Sequence, residues 1–189
     1  NQDGPAFKGE MPDPDAIQQG ALGDCWFLAQ MGSVSRREPQ RIRSLIQNNG
    51  NNTFDVTLYL RNQAGDIVPS TKTVDMMLPD LGFGPIYARP GPKVKEFWPA
   101  LIEKRLAMET GSYELIRGNN IGKMERYFGG MEMLTGRPAS VLKTAARPKD
   151  ELLTTMKEAL DDGRPISTHS QSFPEGHPLS AAANEKGVA

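Results

Sequence analysis

The sequence predicts an α+β fold in which a helical unit carries a small antiparallel sheet. Three observations lead there. Apolar residues recur at helical spacing in separate stretches: Phe27, Leu28, Met31 and Val34; Phe97, Trp98, Leu101, Ile102 and Leu106; and Leu152, Leu153, Met156 and Leu160. Between the first two stretches, Phe54, Val56, Leu58 and Leu60 alternate with Asp55, Thr57 and Tyr59, the pattern of a half-buried strand. The 19 glycines and 15 prolines imply many short turns rather than a helical bundle.

In chain order, residues 1–18 are rich in Pro, Gly and Asp and read as an irregular lead-in. Helical spacing over residues 24–36 predicts a buried, central helix. Its small residues Ala29, Gly32 and Ser33 let other backbone approach closely. Pro39 suits the first position of a short second helix that turns Ile42, Leu45 and Ile46 inward and ends at the asparagines of residues 48–52. A strand over residues 53–60, a turn at 62–65 and a partner strand over 71–78 follow, closed by Pro79. After a Gly/Pro-rich loop (82–92), the helix around Trp98 has Pro99 in its first turn and Gly111 past its end. Residues 112–116 add a helical turn. Met124, Tyr127, Phe128, Met131 and Leu134 keep helical spacing, interrupted at Gly129 and Gly130. The best domain boundary lies at residues 145–148. It divides a complete first lobe (1–145) from the beginning of a second (146–189), in which a helix stops at Gly163 and residues 164–168 open a buried strand. Beyond Ser170 there is no core pattern.

Bulk properties exclude several functions. With 22 basic and 23 acidic residues the net charge is −1, which leaves no nucleic-acid footprint. No apolar run approaches the ~18 residues of a spanning helix, and no basic-then-apolar leader opens the chain, so no membrane partner is expected. A single cysteine excludes an internal disulfide framework and any multi-cysteine metal site. Asn1 is not a natural start residue, so further domains of the same parent are expected. Cytoplasmic and secreted settings both agree with this composition.

That one cysteine is the most informative residue. Cys25 stands in the run Gln19-Gly20-Ala21-Leu22-Gly23-Asp24-Cys25-Trp26-Phe27-Leu28, where a glycine turn delivers the thiol to the start of an apolar helix. Most free cysteines are small buried hydrophobes that need no such setting. A nucleophilic cysteine does need it, because the thiolate is the reactive species and a helix N-terminus favours negative charge. Gln19 is a side-chain amide donor that Gly20 and Gly23 allow to fold back toward the sulfur, a suitable partner for an oxyanion.

The same run resembles the active-site segment of the calpain family of cysteine endopeptidases. The blocks Glu96-Phe97-Trp98-Pro99-Ala100-Leu101-Ile102-Glu103-Lys104, Gly111-Ser112-Tyr113-Glu114-Leu115 and Leu134-Thr135-Gly136 resemble it as well, in the family's order. The resemblance covers residues 15–136 and weakens through the helix before Gly163. It implies a papain-like fold, with a helical cysteine lobe facing a β-rich lobe that carries histidine and asparagine. It further implies Cys25 as nucleophile, Gln19 with the Cys25 backbone N–H as oxyanion donors, Trp26 as a wall of the site and an extended polypeptide as substrate.

The chain also departs from the family pattern. Its two histidines, His169 and His177, do not fit the family's histidine-bearing strand, and proline follows His177 directly. Family spacing puts the catalytic histidine a few residues beyond Ala189 and the asparagine further on. For calcium, Glu96 matches one ligand of a first-lobe site, but Ala16 stands where the family has an aspartate. One carboxylate cannot supply the ~6–8 oxygens calcium takes, so neither calcium nor another cofactor is expected. The expected activity is a calpain-like cysteine endopeptidase. Its rivals are a catalytically degenerate binding or regulatory module of the same fold, and another thiol acyl-transfer enzyme such as a deamidase or transglutaminase.

Overall fold

A computed structural model describes residues 5–82, 84–123, 129–142, 144 and 147–168. Among the described residues, five α-helices accompany two small antiparallel sheets, as an α+β chain requires. Helix α1 (Cys25–Arg37) buries Phe27, Leu28, Met31 and Val34, the four positions set by its periodicity. Helix α2 (Pro39–Ser44) opens on Pro39, whose fixed φ suits a first helical position, and buries Ile42. Helix α3 (Trp98–Thr110) ends on Gly111, whose φ of 98° is left-handed and disfavours a side chain. Helices α4 (Gly130–Thr135) and α5 (Lys149–Asp161) complete the set.

The main sheet runs in the order β2 (Ile46–Asn48), β3 (Thr53–Arg61) and β4 (Ile67–Asp75), with Val56 opposite Ile46 and Phe54 opposite Val74. Phe54, Val56 and Leu58 point into the core, where they meet Trp98, Leu101, Ile102, Leu106, Met31 and Leu134. A second, two-stranded sheet pairs β1 (Ile17–Gln18) with β5 (Arg89–Pro90) just ahead of α1.

Several expectations shift. Strand β4 begins at Ile67 rather than residue 71 and includes Pro69 opposite Tyr59. Proline is tolerated there because β4 is an edge strand, where its missing N–H leaves no inner ladder unpaired. Ile46 leaves the helix and starts β2, since its burial is achieved by pairing with Val56. The lead-in is packed: Ala6 and Phe7 are buried, and the N–H groups of Phe97 and Trp98 donate to the carbonyls of Pro5 and Ala6 at 3.1 and 3.2 Å. Residues 164–168 form no strand. They run beside α1, where the Ser33 hydroxyl donates to the Ile166 carbonyl at 2.6 Å. Tyr127, Phe128, Ala145, His169 and His177 lie outside the described residues.

Candidate active site

Cys25 is the first residue of α1, and its side chain is exposed. The Asp24 carbonyl caps the helix, accepting the N–H groups of Phe27 at 2.8 Å and Leu28 at 3.2 Å. The sulfur therefore sits at the positive end of a buried 13-residue helix, open to solvent. A thiol so placed is not a packing residue.

The loop from Gln19 to Cys25 is stitched down on both sides. A Cβ at Gly20 would collide with the carbonyl oxygens of Tyr87 and Ile86 and lie 2.7 Å from the Tyr87 carbonyl carbon, so only glycine fits there. Next to it, the Ala21 N–H donates to the Ile86 carbonyl at 2.7 Å. On the other flank the Gly118 N–H donates to the Gly23 carbonyl at 2.7 Å, and Trp26 Nε1 donates to the Ile116 carbonyl at 3.1 Å. Exposed Gln19 donates through Nε2 to the Leu22 carbonyl at 2.6 Å. A primary amide carries two N–H bonds; Leu22 takes one and so orients the other. Gln19 and Cys25 thus bracket one short, rigidly held loop.

Beneath the sulfur lies a feature that sequence reasoning missed. Asp24 and Glu103 are both buried, at 0% and 1% exposure, and their carboxyl groups lie within hydrogen-bonding reach of each other. Glu103 Oε2 also accepts the Ala88 N–H at 2.9 Å. Burial, then the Asp24 charge and the bond to it, push the Glu103 carboxyl up to about 9. Burial raises Asp24 as well, against the Glu103 bond. On the facing side Tyr113 stacks on Tyr87 with centroids 4.3 Å apart, and burial followed by the Glu103 charge pushes its phenol upward. Only one sign pointed this way, an acid at Glu103 inside a helix whose apolar residues fall on more than one face.

Glu96 has a different task. Its Oε1 accepts the Lys8 N–H and its Oε2 the Asp13 N–H, each at 2.9 Å, so the carboxylate clamps the lead-in. Ala16 is buried, and Asp15 turns away to pair with Arg36 at 2.9 Å. Along α1, the face that carries Cys25 continues through Ala29, Gly32, Ser33 and Arg36. These residues line an open cleft of about 390 Å³ against Leu160, Ile166 and Thr168.

A family model described as "Calpain family cysteine protease" matches residues 2–185. Among curated proteins, calpain-13 of Rattus norvegicus is 29% identical over 156 residues, which is 80% of this chain and 21% of that protein. The calpain-1 catalytic subunit of Homo sapiens is 31% identical over 152 residues, 78% of this chain and 20% of that protein. Calpain-9 of Mus musculus is 31% identical over 121 residues, 61% of this chain and 17% of that protein. The chain thus spans about a fifth of the length of the curated relatives it matches.

Proposed function

Because the chain belongs to the calpain family of cysteine proteases, we propose that it hydrolyses peptide bonds through the Cys25 thiolate. The observation that carries this reading is the exposed sulfur at the first position of α1, beside a glutamine held by its own loop. The thiolate attacks the carbonyl carbon of an extended polypeptide. Charge develops on the carbonyl oxygen, and the backbone N–H of Cys25 together with the free N–H of Gln19 Nε2 stabilises it. The tetrahedral adduct expels the amine, protonated by a histidine of the second lobe, and leaves a thioester on Cys25. Water then releases the acid and restores the thiol. Trp26, anchored through Ile116, walls the site.

Calcium is not assigned to Glu96 in this reading. Both of its oxygens are engaged by backbone N–H groups, and neither Ala16 nor the diverted Asp15 offers a second ligand. Among the described residues no group of three or more His, Cys, Asp or Glu side chains could hold a metal ion. Mass spectrometry of a protein substrate treated with the protein at its full natural length tests the chemistry. Proteolysis yields shortened chains and, on rapid acid quench, an acyl adduct on Cys25. Intact chains bearing altered glutamines would instead establish a deamidase or transglutaminase, and an unchanged substrate with no adduct would establish the binding module.

A further inference from the structure

An aspartate at a helix N-cap ordinarily accepts the backbone N–H groups of the first turn. Asp24 does not: its side chain makes no cap bond and turns inward. Both of its oxygens, and Oε1 of Glu103, are fully buried and receive no N–H or O–H from any other described residue. Yet the two carboxyls lie within hydrogen-bonding reach of each other. Two carboxylates can bond there only through a proton, because both would otherwise be acceptors only, and two bare charges cannot stay buried side by side.

We propose that Asp24 and Glu103 share one proton, and that this pair is a positioning device for the Cys25 nucleophile. The geometry gives the pair its leverage. Glu103, on α3, grips the Ala88 N–H through Oε2 and lies beside the Asp24 carboxyl. The segment containing Ala88 holds the other flank of the cysteine loop, since the Ile86 carbonyl accepts the Ala21 N–H and Gly20 lies flat on Tyr87. One buried carboxyl therefore fixes both the residue before Cys25 and the wall behind Gln19. The shared proton also limits the pair to one negative charge beside the sulfur, where two would oppose thiolate formation.

Charged groups nearby do not replace the proton. Tyr113, stacked on Tyr87, has its phenol pushed upward by burial and then by Glu103, and so brings no charge to the pair. Lys104, next to Glu103, is paired with Asp75 at 2.7 Å, and Arg117, which packs near Gly23, is paired with Glu114 at 3.1 Å. When the pH rises past about 9, the Glu103 proton passes to hydroxide and two buried like charges remain.

This inference rests on Cys25 being the nucleophile, but its test separates the two claims. Wild type, Glu103→Gln and Glu103→Ala are compared in the protein at its full natural length. Glutamine reproduces the protonated acid, since its amide oxygen accepts from Ala88 and its N–H donates to Asp24. Between the ordinary Glu range and about pH 9 the native state binds one proton more than the unfolded state. Wild-type unfolding should therefore become up to about tenfold more favourable per pH unit, a slope that Glu103→Gln lacks. At pH 7, Glu103→Ala should lose about tenfold or more in kcat with little change in KM and should slow iodoacetamide capture of Cys25. Glu103→Gln should restore both. Equal pH slopes in wild type and Glu103→Gln, or equal losses in Gln and Ala, would overturn the proposal. If Glu103→Ala does not fold, the slope comparison decides alone. Undiminished hydrolysis by Cys25→Ala would remove the nucleophile reading and leave that slope comparison intact.

Discussion

At Gly20 the absence of a side chain lets the cysteine loop lie against the backbone of Ile86 and Tyr87. Gly20→Ala should cost about 1–3 kcal/mol, as overpacking against immovable backbone does. It should also lower kcat, because the displaced loop carries Gln19 and Cys25. Denaturant melts and peptide hydrolysis on the same preparation check both effects. The glycine turn that leads into α1 was legible in the sequence, because Gly20 and Gly23 closely spaced before an apolar helical run mark a chain that lies against other backbone. Asp24 and Glu103 were not. An acid before a helix reads as a cap and an acid within one reads as solvated, and only the three-dimensional meeting of α1 and α3 shows otherwise.

Helix α3 is fastened to the main sheet by a buried cation. Arg105 is fully buried; it donates to the Val56 carbonyl at 3.2 Å, to the Ser70 carbonyl and hydroxyl at 3.1 and 2.9 Å, and to Glu109 at 2.9 Å. Arg105→Met should destabilise the protein by about 3 kcal/mol or more, because two strand carbonyls lose a donor and Glu109 keeps Lys72 but loses its buried cation. Equilibrium urea unfolding measures it. Burial pushes the Glu109 carboxyl up, but Lys72 and Arg105 outweigh it, leaving Glu109 below its ordinary value. A depressed carboxylate stabilises the fold above its unfolded pKa of 4.5 and loses that contribution as pH falls through the lower folded value. Acid titration of the unfolding midpoint should therefore show a step below about pH 4.5 that Glu109→Gln lacks. The helices themselves were readable because their apolar spacing and their proline and glycine ends agree. The start of β4 was not, since Pro69 argues against a strand until the edge position of β4 is known. Nor was the packed lead-in: Phe7 and Ala6 gain burial from α3, about ninety residues away, and no local pattern announces it.

Across the whole molecule, the lead-in, the cysteine loop and α3 form one connected support for the sulfur, and Glu96 is its outer clamp. Glu96→Ala should expose two backbone N–H groups and raise the rate of proteolytic nicking within residues 5–16, while millimolar calcium should leave wild-type melting unchanged. A calcium-dependent rise in Tm that Glu96→Ala abolishes would refute the clamp assignment. The small-residue face of α1 was read correctly as a place of close approach, now seen in the contact between Ser33 and Ile166. No helix among the described residues is long and apolar enough to cross a membrane. The most direct measurement is steady-state peptide hydrolysis by the protein at its full natural length and by its Cys25→Ala variant. Loss of about 10³-fold or more in kcat, with the fold intact by circular dichroism, is the predicted result. Hydrolysis by Cys25→Ala at the wild-type rate would contradict the account.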